Sequence, residues 1–152
     1  MDVSFRRGIG SDAEPAADLY LSAREAARAF IPSLVHSEAE VRRWIAQWVI
    51  PSADLWVAES AEDALVGLLV LAGGWIDQLY VAPWLTGCGI GNELIGLAKR
   101  ERPDGLRLWT FESNVGAQRF YERHEFTASK RTPGNNEEGA PDILYVWHGD
   151  ER

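Results

Sequence analysis

Apolar and polar positions follow two different rhythms along this 152-residue chain. After a short strand-like opening, "VSFRR" (Val3 to Arg7), the residues Ala16, Leu19, Tyr20, Ala23, Ala27 and Phe30 recur at helical spacing. Ser11 or Asp12 can cap this first helix, with Glu14 placed to complete a capping box, and Pro32 stops it. Ser37 with Glu40 forms a second box, and Val41, Trp44, Ile45 and Trp48 mark one face of a second helix that Pro51 ends. From there the rhythm turns to strands. "LWVAE" (Leu55 to Glu59) and "LVGLLVLA" (Leu65 to Ala72) flank the polar "SAED", which predicts an antiparallel hairpin. Gly73-Gly74 turns the chain into "WIDQLYV", Trp75 to Val81. A glycine-rich stretch then enters a helix ending near Arg100. "GLRLWTF" supplies a strand, "NVGAQRFYERH" a helix, "FTASKR" a strand, and "ILYVWH" a last strand after the polar loop "TPGNNEEGAPD". The predicted order is β-α-α-β-β-β-α-β-α-β-β, one α/β (α+β) domain over residues 1–152 without repeats or low-complexity segments.

Composition narrows the function classes. A hydrophobic fraction of 46% with 25% charged residues is that of an ordinary globular domain. The formal net charge of −8 argues against a nucleic-acid partner or an anionic membrane surface, both of which need clustered Lys and Arg. Cys88 is the single cysteine, so no internal disulfide or cysteine metal cluster is expected. The opening "MDVSFRRGIGSDAE" lacks the apolar run of a signal peptide, and no segment approaches the roughly 20 apolar residues of a membrane span, so the cytoplasm is the expected location.

The chemistry centres on "LTGCGIGNEL", Leu85 to Leu94, where Gly87, Gly89 and Gly91 crowd the start of a helix that glycine disfavours. Glycines between a strand and a helix let backbone N–H groups approach a phosphate, which the positive end of the helix dipole also attracts. A nucleotide P-loop would need Gly-Lys-Ser/Thr, which is absent. A dinucleotide fingerprint starting at Gly87 would need glycine where Asn92 stands.

With those excluded, "LYVAPWLTGCGIGNELI" resembles the acyl-coenzyme A loop of the GNAT N-acetyltransferase superfamily. Leu79, Val81 and Pro83 match its strand end, and Gly89 and Gly91 match its glycines, while Thr86 stands where Gln or Arg is usual. "NVGAQRFYERHEF" resembles the later family motif, with Asn114, Ala117, Phe120, Tyr121, Glu122 and Phe126 in register. Glu125 replaces the usual turn glycine, which puts a side chain where a left-handed conformation is expected. The element order also agrees, so the resemblance spans most of the chain. It implies a mixed, mostly antiparallel sheet of about 6–7 strands with about four flanking helices.

The resemblance also implies acetyl-CoA as co-substrate and direct transfer to a primary amine of a small molecule or peptide in a ternary complex. The pyrophosphate would rest on the amides of Gly87, Cys88, Gly89, Ile90, Gly91 and Asn92, beside Thr86. The pantetheine arm would pair with the backbone of Leu79, Tyr80 and Val81, near Asn114, Ala117 and Phe120. Tyr121 matches the tyrosine that protonates the departing thiolate, a role open to a phenol with a pKa near 10. For the general base three strand-end carboxylates compete, Asp77, Glu112 and Glu59, with Asp77 and Glu112 preferred.

The acceptor side is left open by the residues. His36 faces the usual acceptor side of such a fold, and Trp75 could line an apolar pocket. Glu137, Glu138 and Asp142 would favour a cationic amine if clustered, or form a solvated acidic loop. A homodimer is common in the resembled family, and "ILYVWH" could serve such a contact or form an inner strand. The rival readings are a non-catalytic acyl-CoA-sensing domain of the same fold, against which Tyr121 counts, and a transferase for another acyl group.

Overall fold

The computed structural model of the protein describes residues 2–150. One seven-stranded sheet runs β1-β2-β3-β4-β5-β7-β6 across it. Its strands are β1 (Val3–Arg7), β2 (Asp54–Ser60), β3 (Leu65–Ala72), β4 (Trp75–Val81), β5 (Leu106–Phe111), β6 (Thr127–Thr132) and β7 (Asp142–Trp147). All neighbours are antiparallel except β4 and β5. The helices are α1 (Ala13–Ala26), α2 (Glu38–Trp44), α3 (Ile90–Glu101) and α4 (Val115–Arg123). The continuous apolar run of β3 is buried because helices cover both of its faces: α1 and α3 each pack on it.

Three local expectations are corrected. Helix α1 ends at Ala26, and residues 27–30 continue only as turns. The predicted Ser11/Asp12–Glu14 capping box does not form, because the Asp12 carboxylate takes the Ile9 N–H at 2.8 Å and a two-pronged contact from Arg6. Pro51 does not stop the second helix at its own position. The chain passes from α2 through a π-helical turn, Ile45–Val49, into a last turn, Ile50–Ser52. Proline has no N–H to give to the carbonyl four residues back, and the wider turn, in which the Ile50 N–H reaches Ile45, absorbs that loss. The Ser37–Glu40 box is present in both directions, at 3.2 and 3.0 Å.

"ILYVWH" is an inner strand: β7 lies between β5 and β6 with Ile143, Tyr145 and Trp147 buried. Helix α4 closes with a Schellman cap. The Phe126 N–H bonds the Tyr121 carbonyl at 3.0 Å and the Glu125 N–H bonds that of Glu122 at 3.1 Å. Glu125 occupies the left-handed position with φ +70°, as its replacement of a turn glycine anticipates. Left-handed backbone strains a side chain that has no compensating contact, so Glu125→Gly should stabilise the fold by about 0.5–1 kcal/mol. A rightward shift of the urea midpoint at constant m-value is the expected reading; an unchanged or lower midpoint would show that the turn is unstrained.

Candidate active site

Strands β4 and β5 are paired only at Trp75↔Arg107, with the Arg107 N–H on the Gly74 carbonyl at 3.0 Å. Beyond that point they diverge, and a cleft of about 800 Å³ opens between them. Its walls include Ile76 to Val81 of β4 and Leu108 to Phe111 of β5. The Ala82 N–H bonds back to Val66 at 2.8 Å, so the two-residue alternation turns the backbone groups of Leu79 and Val81 toward the gap. This is an open sheet edge inside the molecule, able to pair with an extended ligand.

At the mouth of the cleft, Gly89 caps α3 in the left-handed conformation, φ +87°, and Gly87 has φ +85°. A Cβ at either would meet nothing within 4 Å, so the constraint is the backbone path, with open space above it. Gly91 answers to a different need: a Cβ there would lie 3.2 Å from Phe120 Cε1, so its absence lets α4 approach α3. The first N–H groups of α3 lack intrahelical acceptors and point out of the helix start, with the dipole adding positive potential. These donors fit a diphosphate. The loop Cys88 was expected to join them, but its N–H bonds the Leu85 carbonyl at 3.2 Å and its side chain is exposed, away from the cleft walls.

Tyr121 lies on the cleft wall facing β4, 9% exposed, gripped by Phe120, Phe126 and Tyr145. Burial raises its pKa well above that of a free phenol, so the proton stays on Oη at neutral pH. Asn114 caps α4 by accepting the Ala117 N–H at 3.2 Å, and both residues line the cleft with Phe120. Asp77 also lines it. Its place in β4 is a bulge, since β3 pairs Val70 with Gln78 and Leu71 with Ile76. The residue is exposed at the cleft lining, and partial desolvation raises the pKa of its carboxyl.

Other candidates lie elsewhere. Glu112 is exposed and its side chain is not on the cleft wall. Glu59 is held by Arg6 at 3.1 Å on the β1–β2 side of the sheet. Trp75 sits where the strands are still paired, near the Arg107 guanidinium, and faces a separate groove. Asp142 is buried and accepts from Thr132 Oγ1 and, at 2.9 Å, from Asn136, so it holds the β6–β7 loop and is not part of a solvated acidic cluster. His36 bridges Glu137 at 2.8 Å and Glu40 at 3.4 Å, fastening the loop after α1 to the β6–β7 loop. The two carboxylates raise its pKa, which favours the imidazolium with both nitrogens donating. Glu138 acts electrostatically on Tyr20, Arg24 and Tyr80. Among the described residues no His/Cys/Asp/Glu group could hold a metal, and no helix is long and apolar enough to cross a membrane.

Sequence reasoning passed over Arg24, Gln78, Phe30 and Trp109, all on the cleft wall. Phe30 and Trp109 are exposed, a cost that apolar residues bear at binding surfaces, but nothing local in the sequence distinguishes them from core aromatics.

A split sheet with an amide-lined helix start on one side and a buried phenol across the gap defines an acyl-CoA-dependent acyltransferase. Residues 51–128, just over half of the chain, match the family described as acetyltransferase (GNAT) domain, and the chain belongs to that family. It is an N-acetyltransferase with acetyl-CoA as co-substrate. Peptidyl-lysine N-acetyltransferase YjaB of Escherichia coli (strain K12) is 29% identical over 132 residues, 87% of each chain. The solution structure of apo YjaB from Escherichia coli superposes with a TM-score of 0.78 at 26% identity, covering 99% of this chain and 100% of that one. YncA of Salmonella typhimurium, whose structure carries its cofactor acetyl-CoA, shares the fold with a TM-score of 0.72 at 15% identity, covering 100% and 96%.

Proposed function

We propose that the protein acetylates a primary amine carried by a lysine-type acceptor, free or within a peptide, by direct transfer in a ternary complex. The observation that carries this reading is the gap between β4 and β5, open to both faces of the sheet. The cofactor has the α3 side of this gap, and an amine can enter from the α1 side. The similarity to peptidyl-lysine N-acetyltransferase YjaB supports the choice of lysine, and the acidic Glu138 beside the cleft suits a cationic amine.

When bound, acetyl-CoA supplies the activated acetyl thioester. The N–H groups of Gly87, Gly89, Ile90, Gly91 and Asn92 hold its pyrophosphate, and the Leu79 and Val81 backbone groups orient the arm as an added strand would be oriented. A β4 N–H polarises the carbonyl. Asp77 accepts a proton from the ammonium form of the acceptor, directly or through one water, for which its raised pKa makes it a stronger base than an unperturbed aspartate. Tyr121 donates the Oη proton to sulfur as the thiolate departs, and the proton that the newly acetylated nitrogen sheds returns, through water, to the phenolate. With the cofactor in place, the walls of the gap would exclude water, which would strengthen each of these contacts.

The test is coenzyme A thiol release from acetyl-CoA with lysine peptides, free lysine, polyamines and aminoglycosides. Release stimulated most by the lysine compounds supports the reading. Stimulation by polyamines or aminoglycosides alone would replace the acceptor class, and tight acetyl-CoA binding without release to any amine would favour a sensing domain.

A further inference from the structure

Arg24 is a buried, charged cleft residue whose chemistry the transfer reaction leaves unused. It lies on α1, is 9% exposed, and lines the cleft. None of the ion pairs among the described residues includes it. Its nitrogens donate to the Pro32 carbonyl at 3.2 Å and, at a long 3.5 Å, to the Tyr80 hydroxyl, with the Tyr20 hydroxyl also close, while the buried Nε has no hydrogen-bond partner. A buried guanidinium with no carboxylate in contact is expensive, because burial removes hydration that neutral acceptors replace only in part. Such a group persists where an anion arrives to complete it.

The side of the sheet says which anion. Along β4 the side chains alternate: Val81 faces α3 and Gly91, whereas Tyr80 stacks edge-on against Tyr20 of α1 at 5.2 Å. Arg24 therefore stands on the face opposite the phosphate-binding helix start, with its guanidinium 5.9 Å from the Tyr20 ring. Glu138 contributes a negative field at the same place. One buried cation and one nearby carboxylate form a receptor of mixed sign. We infer that Arg24, aided by the Tyr80 hydroxyl, binds a carboxylate carried by the amine acceptor, so that the preferred acceptor holds both an amine and a carboxylate. The inference rests on the acetyl-transfer reading for its orientation but concerns binding alone.

Two acceptors that differ only in this group decide it: Nα-acetyl-lysine and Nα-acetyl-lysine amide. Calorimetric titration into the protein saturated with coenzyme A should show the carboxylate compound binding about tenfold tighter, the scale of a charge-assisted hydrogen bond. Arg24→Gln should remove that difference, and Arg24→Lys should restore part of it. Equal binding of the two compounds, or no binding of either, overturns the proposal, as does an Arg24→Gln effect confined to acetyl-CoA affinity. A peptide ending in Lys beside one with Lys followed by Glu distinguishes a terminal carboxylate from an acidic side chain. Tighter binding of the carboxylate compound without thiol release would leave the carboxylate site standing and remove the lysine-acetylation reading.

Discussion

Replacing Tyr121 by Phe should lower the rate of acetyl transfer by about 10²–10⁴-fold, the range that a positioned general acid supplies. The ring contacts with Phe120 at 5.2 Å and Phe126 at 5.6 Å do not involve the hydroxyl, so the variant should fold and keep its affinity for acetyl-CoA. The pKa of Tyr121 is raised, so the acid form is present at every pH below its ordinary value and is lost only far into alkali. Alkaline pH up to about 10 should therefore not inactivate the enzyme through this group. Single-turnover thiol release measures the effect, with the acetyl-CoA dissociation constant taken from a separate titration. A Phe variant turning over at the parental rate would move the proton donor elsewhere.

Gly89→Val should weaken acetyl-CoA binding by at least about tenfold. A β-branched residue at φ +87° costs on the order of 1–3 kcal/mol, and the loop can escape that cost only by turning its N–H donors away from the bound phosphates. The space above Gly89 is open, so the new side chain meets no protein atom, and a loss reports on the backbone path or on crowding of the bound phosphates. Gly74→Ala is the matching control, since that glycine has neither a positive φ nor a neighbour within 4 Å of an added Cβ. Titration of all three proteins with acetyl-CoA would show the difference, and a Gly89→Val protein binding as tightly as the parent would mean that the loop tolerates another path.

Most elements were legible because their signals are local. Alternation, capping pairs and Gly-Gly turns depend on near neighbours, and the glycine loop with Tyr121 lies in two compact motifs. What was not legible depends on distant partners. Asp12 looked like a helix cap until Arg6 claimed it. Asp142 looked like part of an acidic pocket, yet Thr132 and Asn136 hold it in the interior. Trp75 and Asp77 are two residues apart, but the strands separate between them, so one lies below the cleft and the other inside it. Arg24 sits among Tyr20, Ala23 and Ala27 at helical spacing, where an arginine reads as the solvent-facing edge of the stripe. Only the packing of α1 over β4 shows that it is buried.

The separation of β4 from β5 bears on solubility as well as on binding. Unpaired strand edges invite strands of other chains, and proteins blunt them with charge, bulges or cover. Here the edge is recessed between α3 and α4 on one side and α1 on the other, and the Asp77 bulge distorts its lower end. A second protein's strand, with its own sheet attached, is too broad to enter. A single thin, flexible chain with amide groups in it can. The architecture thus keeps an adhesive edge available to one shape of molecule while withholding it from the strands that would cause aggregation.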